Sequence, residues 1–472
     1  MAIHEECGVF GIYDKNGGCA ESAYYGLYAL QHRGQEACGI ATVSNLNMRC
    51  RKDVGLVGDV FTREDLEELG GCMAVGHVRY STTGGSLREN AQPLTLNYVK
   101  GSFAVAHNGN LVKVDELRRH YEYRGAIFHT TTDSEIIAYI IAQERLLCPS
   151  IERAVANAVR QLRGAYSLVV MSTRKLIAAR DPWGFRPLCI GRRGDAWIFA
   201  SESCALDSVG AAFVRDVEPG EVVYVDLNGQ LQSIRDYCGK ERTGLCLFEF
   251  LYFARPDSVI DGQSVHAARI LAGQYLAKEH PIDADVVIGV PDSGLHAAKG
   301  YALESGIPYN DGLVKNRYIG RTFIQPGQAN REVSVRLKLN ALRSTVAGKR
   351  VVVIDDSIVR GTTSSQLVKL LRDAGAREVH MLSSAPMFIA PCYFGTDIPS
   401  KGELFACKHD LEEMGGSLGR TVWAFCQWRA CKRLRRTAVW VFATAVLPKT
   451  TPSPWRPAER TEPAEISKVT KG

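Results

Sequence analysis

VVVIDDSIVRGTTS, residues 351–364, is an apolar run that ends in two acids and then turns through glycine into hydroxyl side chains. A run without polar alternation fits a strand buried on both faces of a parallel α/β sheet. It delivers Asp355 and Asp356 at its carboxyl end, where open α/β sheets bind ligands. Ser357 follows, and Arg360-Gly361-Thr362-Thr363 then opens the helix pattern SSQLVKLLRDAG. Free N–H groups at a helix start, beside small hydroxyl side chains, make a phosphate cradle. Paired carboxylates next to it suit ribose hydroxyls, or a magnesium ion held directly or through water. The same residues would also serve as a plain helix cap, with acids complementing the dipole.

A second strand–loop–helix lies upstream. VVIGVPDSG ends at Gly294 and leads into LHAAKGYALESG, so Pro291, Asp292, Ser293 and Gly294 form a tight loop offering backbone N–H groups to a pyrophosphate–magnesium group. Between the two motifs runs KNRYIGRTFIQPG, Lys315 to Gly327, with three cations, among them Lys315 and Arg321, an aromatic pair and glycines. Such a segment is either a solvated loop or a lid over a reactive ligand. The three segments resemble the PRPP motif, pyrophosphate loop and flexible loop of type I phosphoribosyltransferases, PRPP being phosphoribosyl pyrophosphate. That resemblance implies that Asp355 and Asp356 hold ribose and Mg2+, that Thr362 and Thr363 meet the 5′-phosphate, and that Ser293 is a further metal contact.

Residues 7 to about 235 have another character. Short apolar runs alternate with Gly-rich turns: CGVFGIY, MAVGHVRY, SFAVAHNGN, AYSLVVMS, LIAARD, AWIFAS and EVVYVDLNG. Helical stretches interrupt them near Ala20–Leu30 and Ser134–Gln143. The mix predicts stacked, mainly antiparallel sheets with helices outside. The boundary to the α/β half is expected in the polar segment Arg235 to Gly244, giving segments 7–235 and 236–419.

Four strand ends or turns in this half each carry a polar residue suited to amide hydrolysis. Cys7 is a candidate nucleophile, and equally a small buried hydrophobe. Arg79 in GHVRYSTTG can pair with a substrate carboxylate in bidentate fashion. Asn108 in HNGN, with the N–H of Gly109, can form an oxyanion hole. Asp133 in TTDSE can receive an α-ammonium. In this order they resemble an N-terminal-nucleophile glutaminase, which uses the cysteine thiolate with that residue's own α-amino group as base. An α-amine titrates at about 7.7–8.0 and a free thiol near ~8.5, close enough to exchange a proton around neutrality. The resemblance therefore requires Cys7 to become the first residue and makes 1–6 a propeptide.

Glutaminase followed by PRPP domain, joined by CLFEFLYFARPDS (Cys246–Ser258), resembles the amidophosphoribosyltransferases from about Glu5 to Met414. That resemblance implies glutamine and PRPP as substrates, purine nucleotides as feedback inhibitors and a homotetramer. One branch of the family carries a 4Fe-4S cluster on four cysteines. Cys246 and Cys392 match two of those positions, but the C-x-x-C expected near the carboxyl end is missing. Two competing readings use the same residues: another class II glutamine amidotransferase with a different acceptor, and a non-catalytic PRPP or nucleotide sensor.

The totals agree with a two-domain enzyme. A chain of 472 residues exceeds one ordinary core, and 46% hydrophobic with 23% charged residues is a globular composition. The fourteen cysteines are scattered, as expected of small buried side chains in a reducing compartment. Met1 to Glu6 lacks the apolar core of a secretory signal, and Ala438–Leu447 is too short to span a bilayer, so we expect a cytoplasmic protein without a membrane partner. The net charge of +6 is local: residues 420–472 hold eleven Lys and Arg against three Glu, leaving about −2 elsewhere. Nucleic acid is therefore not an expected partner. This basic, Trp- and Pro-rich tail does not resemble the family. Ordinary codons for it, read two bases later, give segments like the family's missing end, including a C-x-x-C. A reading-frame shift near codons 415–425 is one expectation; a lineage-specific tail without fixed structure is the other.

Overall fold

A computed structural model describes residues 7–80, 87–316, 338–395 and 400–408, together with the backbone of 423–425. The first half is a four-layer stack. Its seven-stranded sheet runs, edge to edge, Ala212–Asp216, Cys189–Arg193, Ala196–Ala200, Gly8–Tyr13, Met73–Arg79, Ala37–Ser44 and Asn47–Val54. The six-stranded sheet facing it runs Leu231–Ile234, Val222–Asp226, Lys175–Arg180, Gly164–Ser172, Gly101–Leu111 and Leu94–Tyr98. All pairings in both sheets are antiparallel.

The absence of polar alternation in GVFGIY has a plain cause. Gly8–Tyr13 lies mid-sheet and is buried at every position. Val9 and Tyr13 meet Ala104, Val169 and Met171 between the sheets, whereas Phe10 and Ile12 meet Leu27 and Ala23 of the helix Cys19–Ala29. Gly26 permits that helix to sit down, since a Cβ there would fall 2.3 Å from the Phe10 ring. The helices Ser134–Leu147 and Ile151–Gln161 cover the outer face of the second sheet.

In the second half Val286–Gly289, Arg350–Asp355, Glu378–Ser383 and Trp423–Phe425 form a parallel sheet in that order. Separate apolar clusters pack its two faces, which is why Val351 to Ile354 reads as a continuous apolar run. Of the basic tail, only the edge strand 423–425 belongs to the described residues. Between the halves, Glu249–Phe253 of the predicted connector winds as a buried π-helical turn. Among the described residues no helix is long and apolar enough to cross a membrane.

Candidate active site

Antiparallel pairing puts Gly8 opposite Val78, which brings Cys7 to the end of the neighbouring strand. There the Cys7 thiol donates to the Tyr80 carbonyl at 3.3 Å, and Arg33 Nε donates to the Cys7 carbonyl at 2.9 Å. Cys7 and Arg79 are both buried. His77 Nε2 lies 3.0 Å from the His107 carbonyl on the opposite sheet, so it carries the proton and clamps the sheets together one residue from Asn108. Burial drives this imidazole down to about 3, leaving it neutral.

Asn108 is fully buried, and neither atom of its amide has a hydrogen-bond partner. A buried amide without a protein partner is costly, and in a cleft it is the kind of group a ligand satisfies. Gly109 follows with φ +134°, and a Cβ on it would lie 2.0 Å from the Ala165 carbonyl oxygen. Asp133 accepts the Leu111 N–H at 2.8 Å and lies 3.6 Å from His107 Nδ1. These bonds gather Cys7, Arg79, Asn108, Gly109 and Asp133 into one neighbourhood, although they come from four separated segments.

A cavity of about 440 Å³ opens over the carboxyl ends of the parallel strands. The predicted Pro291, Asp292, Ser293, Lys315, Asp355, Asp356, Ser357, Arg360, Gly361, Thr362 and Thr363 all line it. Gly294 is not part of this lining but lets the loops approach, since a Cβ there would meet the Ile354 carbonyl at 2.5 Å. Arg321 lies outside the described residues. Ser293 and Ser357 donate to the two oxygens of Asp356, each at 2.5 Å. Burial raises both carboxyls, and the charge of Asp356 raises Asp355 further. Lys315 pairs with Asp292 at 2.5 Å, and Arg360 with Glu403 at 3.1 Å. Gly361 adopts φ +75° at the start of the helix Thr362–Asp373, with the Phe405 ring where a Cβ would be.

Sequence reasoning missed the buried charges joining the halves. Arg33 reaches Glu202 at 2.6 Å and Glu249 at 2.9 and 3.0 Å, and Arg186 reaches Glu249 at 3.1 Å. His32 bonds Glu202 at 2.8 Å and lines the cavity with Tyr252, Arg255, Arg269 and Lys338. Phe394 stacks on Phe185 at 4.6 Å, and Asn110 donates to the Tyr393 carbonyl at 3.2 Å. Cys246 and Cys392 pack against one apolar cluster, but among the described residues no group of three or more His, Cys, Asp or Glu is placed to hold a metal.

Two family models match the chain: a glutamine amidotransferase domain over residues 77–208 and a phosphoribosyl transferase domain over 260–385. The amidophosphoribosyltransferase of Methanocaldococcus jannaschii is 50% identical, covering 88% of this chain and 91% of its own length. That of Bacillus subtilis is 47% identical, covering 90% and 88%. A solved structure of glutamine PRPP amidotransferase from B. subtilis, complexed with ADP and GMP, is 45% identical, covers 91% of this chain and 92% of its own, and superposes with a TM-score of 0.83. Another, described as the allosteric regulatory enzyme of purine biosynthesis, is 46% identical, covers 91% of each chain and gives 0.84.

Proposed function

The chain belongs to the amidophosphoribosyltransferase family, and from that premise we propose how its residues convert glutamine, PRPP and water into 5-phosphoribosylamine, glutamate and pyrophosphate, the first committed step of purine synthesis. The observation that carries the reading is the pairing of a buried Asn108 amide without a protein partner, in the neighbourhood of Cys7, with a cavity walled by Asp355, Asp356 and the Gly361–Thr363 turn.

Removal of residues 1–6 gives Cys7 a free α-amine. That amine takes the thiol proton, and the sulfur attacks the side-chain amide carbon of glutamine. Asn108 Nδ2 and the Gly109 N–H meet the oxyanion, a contribution of about 2.7–4 kcal/mol per donor in such sites. Arg79 binds the substrate α-carboxylate and Asp133 its α-ammonium. The α-ammonium of Cys7 returns the proton to the leaving ammonia, and water then hydrolyses the thioester to glutamate.

In the second half-site, Thr362, Thr363 and the helix start hold the 5′-phosphate, and the Pro291–Gly294 loop with Lys315 holds the pyrophosphate. Ammonia attacks C1 of the ribose, the C1–oxygen bond breaks, and pyrophosphate leaves with the electron pair. Two adjacent buried carboxyls, both raised, form a site short of positive charge. Asp355, Asp356 and Ser293 thus suit Mg2+, which when bound neutralises the leaving pyrophosphate. The described residues do not fit a four-thiolate cluster, so no step is assigned to one. A homotetrameric assembly, a cytoplasmic location, inhibition by purine nucleotides and a division into segments 7–235 and 236–419 complete the proposal; beyond Asn316 the Lys315–Gly327 segment lies outside the described residues. The solved B. subtilis relative with ADP and GMP supports the inhibitors.

The test is glutamate release from glutamine with and without PRPP and Mg2+, with pyrophosphate followed in parallel and the amino terminus identified by mass spectrometry. PRPP stimulation with equal pyrophosphate, in a chain that begins at Cys7, is expected. Glutamate without pyrophosphate would point to a different acceptor, and an active chain that retains residues 1–6 would exclude the α-amine as base.

A further inference from the structure

His32 belongs to the turn Gln31–Arg33 of the antiparallel half, yet its ring lines the cavity of the parallel half. Both ring nitrogens face acceptors: Nδ1 lies 3.1 Å from the Ala29 carbonyl and Nε2 lies 2.8 Å from Glu202. A carbonyl and an ionised carboxylate only accept, so each ring nitrogen faces a group to which it can donate. Burial alone would raise the Glu202 carboxyl, but the His32 and Arg33 charges override it and hold it far below the ordinary range. From Glu202 the next bond runs 2.6 Å to Arg33, and Arg33 Nε donates to the Cys7 carbonyl at 2.9 Å. The other Glu202 oxygen takes the Arg255 N–H at 2.9 Å and the Ser258 hydroxyl at 2.8 Å. Three hydrogen bonds therefore connect the cavity wall to the backbone of the proposed nucleophile. The Arg33 and Glu202 side chains between them are 0% exposed.

We propose that His32 is a positioning residue through which an anionic substrate in the cavity sets the geometry of Cys7, with Glu202 and Arg33 as the links. The proposal rests on the reading of this cavity as the PRPP site. Both ring nitrogens already face a partner, so a phosphate oxygen engages the ring only by displacing Glu202 or Ala29. Glu202 then leans on Arg33, which moves the carbonyl of the residue whose thiol must attack. Displacements well below 1 Å matter in such alignments, since a misplacement of about 1 Å can cost ~100-fold in rate.

His32→Gln removes the ring and keeps a donor for Glu202. In the full chain, glutamate release would be measured with and without PRPP and Mg2+, and pyrophosphate release with ammonium chloride replacing glutamine. Stimulation of glutamate release should fall at least about 5-fold, the lower end of ordinary coupling between sites, and by more than the ammonia-dependent rate falls. Glu202→Gln should act alike, and the double variant should lose no more than the more severe single, because the two residues serve one path. Stimulation retained in H32Q, equal losses with both nitrogen sources, or additive losses in the double variant would overturn the proposal. Should E202Q not fold, H32Q still decides, its side chain being 26% exposed and thus tolerant of exchange. The wild-type chain separates the premises: no PRPP stimulation there would remove the functional assignment itself, whereas losses confined to the variants support the path.

Discussion

Replacing Gly109 by alanine should disable glutamine hydrolysis far more than it disables phosphoribosyl transfer. Gly109 has φ +134°, a region that side chains with a Cβ rarely enter. An added Cβ would stand 2.0 Å from the Ala165 oxygen, a main-chain atom of the paired strand Gly164–Ser172. Carbon–oxygen contacts across a sheet normally lie at about 3.3–3.6 Å, so the strand must give by more than ~1 Å. The obstacle is backbone on the neighbouring strand, and no side-chain rotation relieves it. A shift of that size costs about 100-fold where reacting atoms are aligned, and losing one oxyanion donor costs about 100- to 1000-fold. Glutamate release in G109A should therefore fall by about two to three orders of magnitude. Pyrophosphate release with ammonium chloride should fall by less than about 3-fold, because Gly109 does not line the cavity of the parallel half. Glutaminase activity within about 3-fold of wild type would refute the oxyanion role. Equal losses in both assays would show that the strand does no more than hold the fold together.

Three further outcomes are expected. Glu249→Ala leaves Arg33 and Arg186 buried without their shared counter-charge, and should lower stability by about 3–5 kcal/mol in chemical denaturation; a loss under about 1 kcal/mol would contradict the network. Because Asp355 and Asp356 are raised above their unfolded value of about 3.9, their ionisation costs folding free energy as pH climbs through and above that value. Mg2+ should accordingly raise the melting temperature at about pH 8, lose that effect towards pH ~4, and do nothing for Asp356→Asn, whereas a shift growing on acidification would count against the site. Gly361→Ala must place a side chain at φ +75° against the Phe405 ring. At about 1–2 kcal/mol for such a backbone, the KM for PRPP in the ammonia-dependent reaction should rise roughly 10-fold, and an unchanged KM would remove the turn from phosphate binding.

Which features were legible in the sequence follows from where their partners lie. The loops of the cavity in the parallel half are local: an apolar strand, two acids and a Gly-Thr-Thr helix start within fourteen residues declare their own geometry. The strands around Cys7, Arg79 and Asn108 were also readable, since each ends in a turn that breaks an apolar run. Ala37–Ser44 and Cys189–Arg193 were not, because glycine and polar residues interrupt runs that only neighbouring strands complete. The helices Val114–Glu122 and Ile151–Gln161 were passed over as well. Least legible were Arg33, Glu202 and Glu249. Arg33 finds Glu202 169 positions away and Glu249 216 positions away, and no local period marks a charge that will be neutralised at that distance.

Glu249 also bears on modularity. Glutaminase domains are natural candidates for transplantation, since the same ammonia source can feed different acceptors. Here the cut would not be clean. The carboxylate that neutralises Arg33 and Arg186 lies beyond the last strand of the antiparallel half, in the connector to the parallel one. A fragment ending near residue 235 would retain both guanidinium groups and lose their common anion. Any graft of this glutaminase onto a new synthase must therefore bring a carboxylate at that spot, or replace two arginines. The seam between the halves is an electrostatic lock whose key belongs to the neighbour.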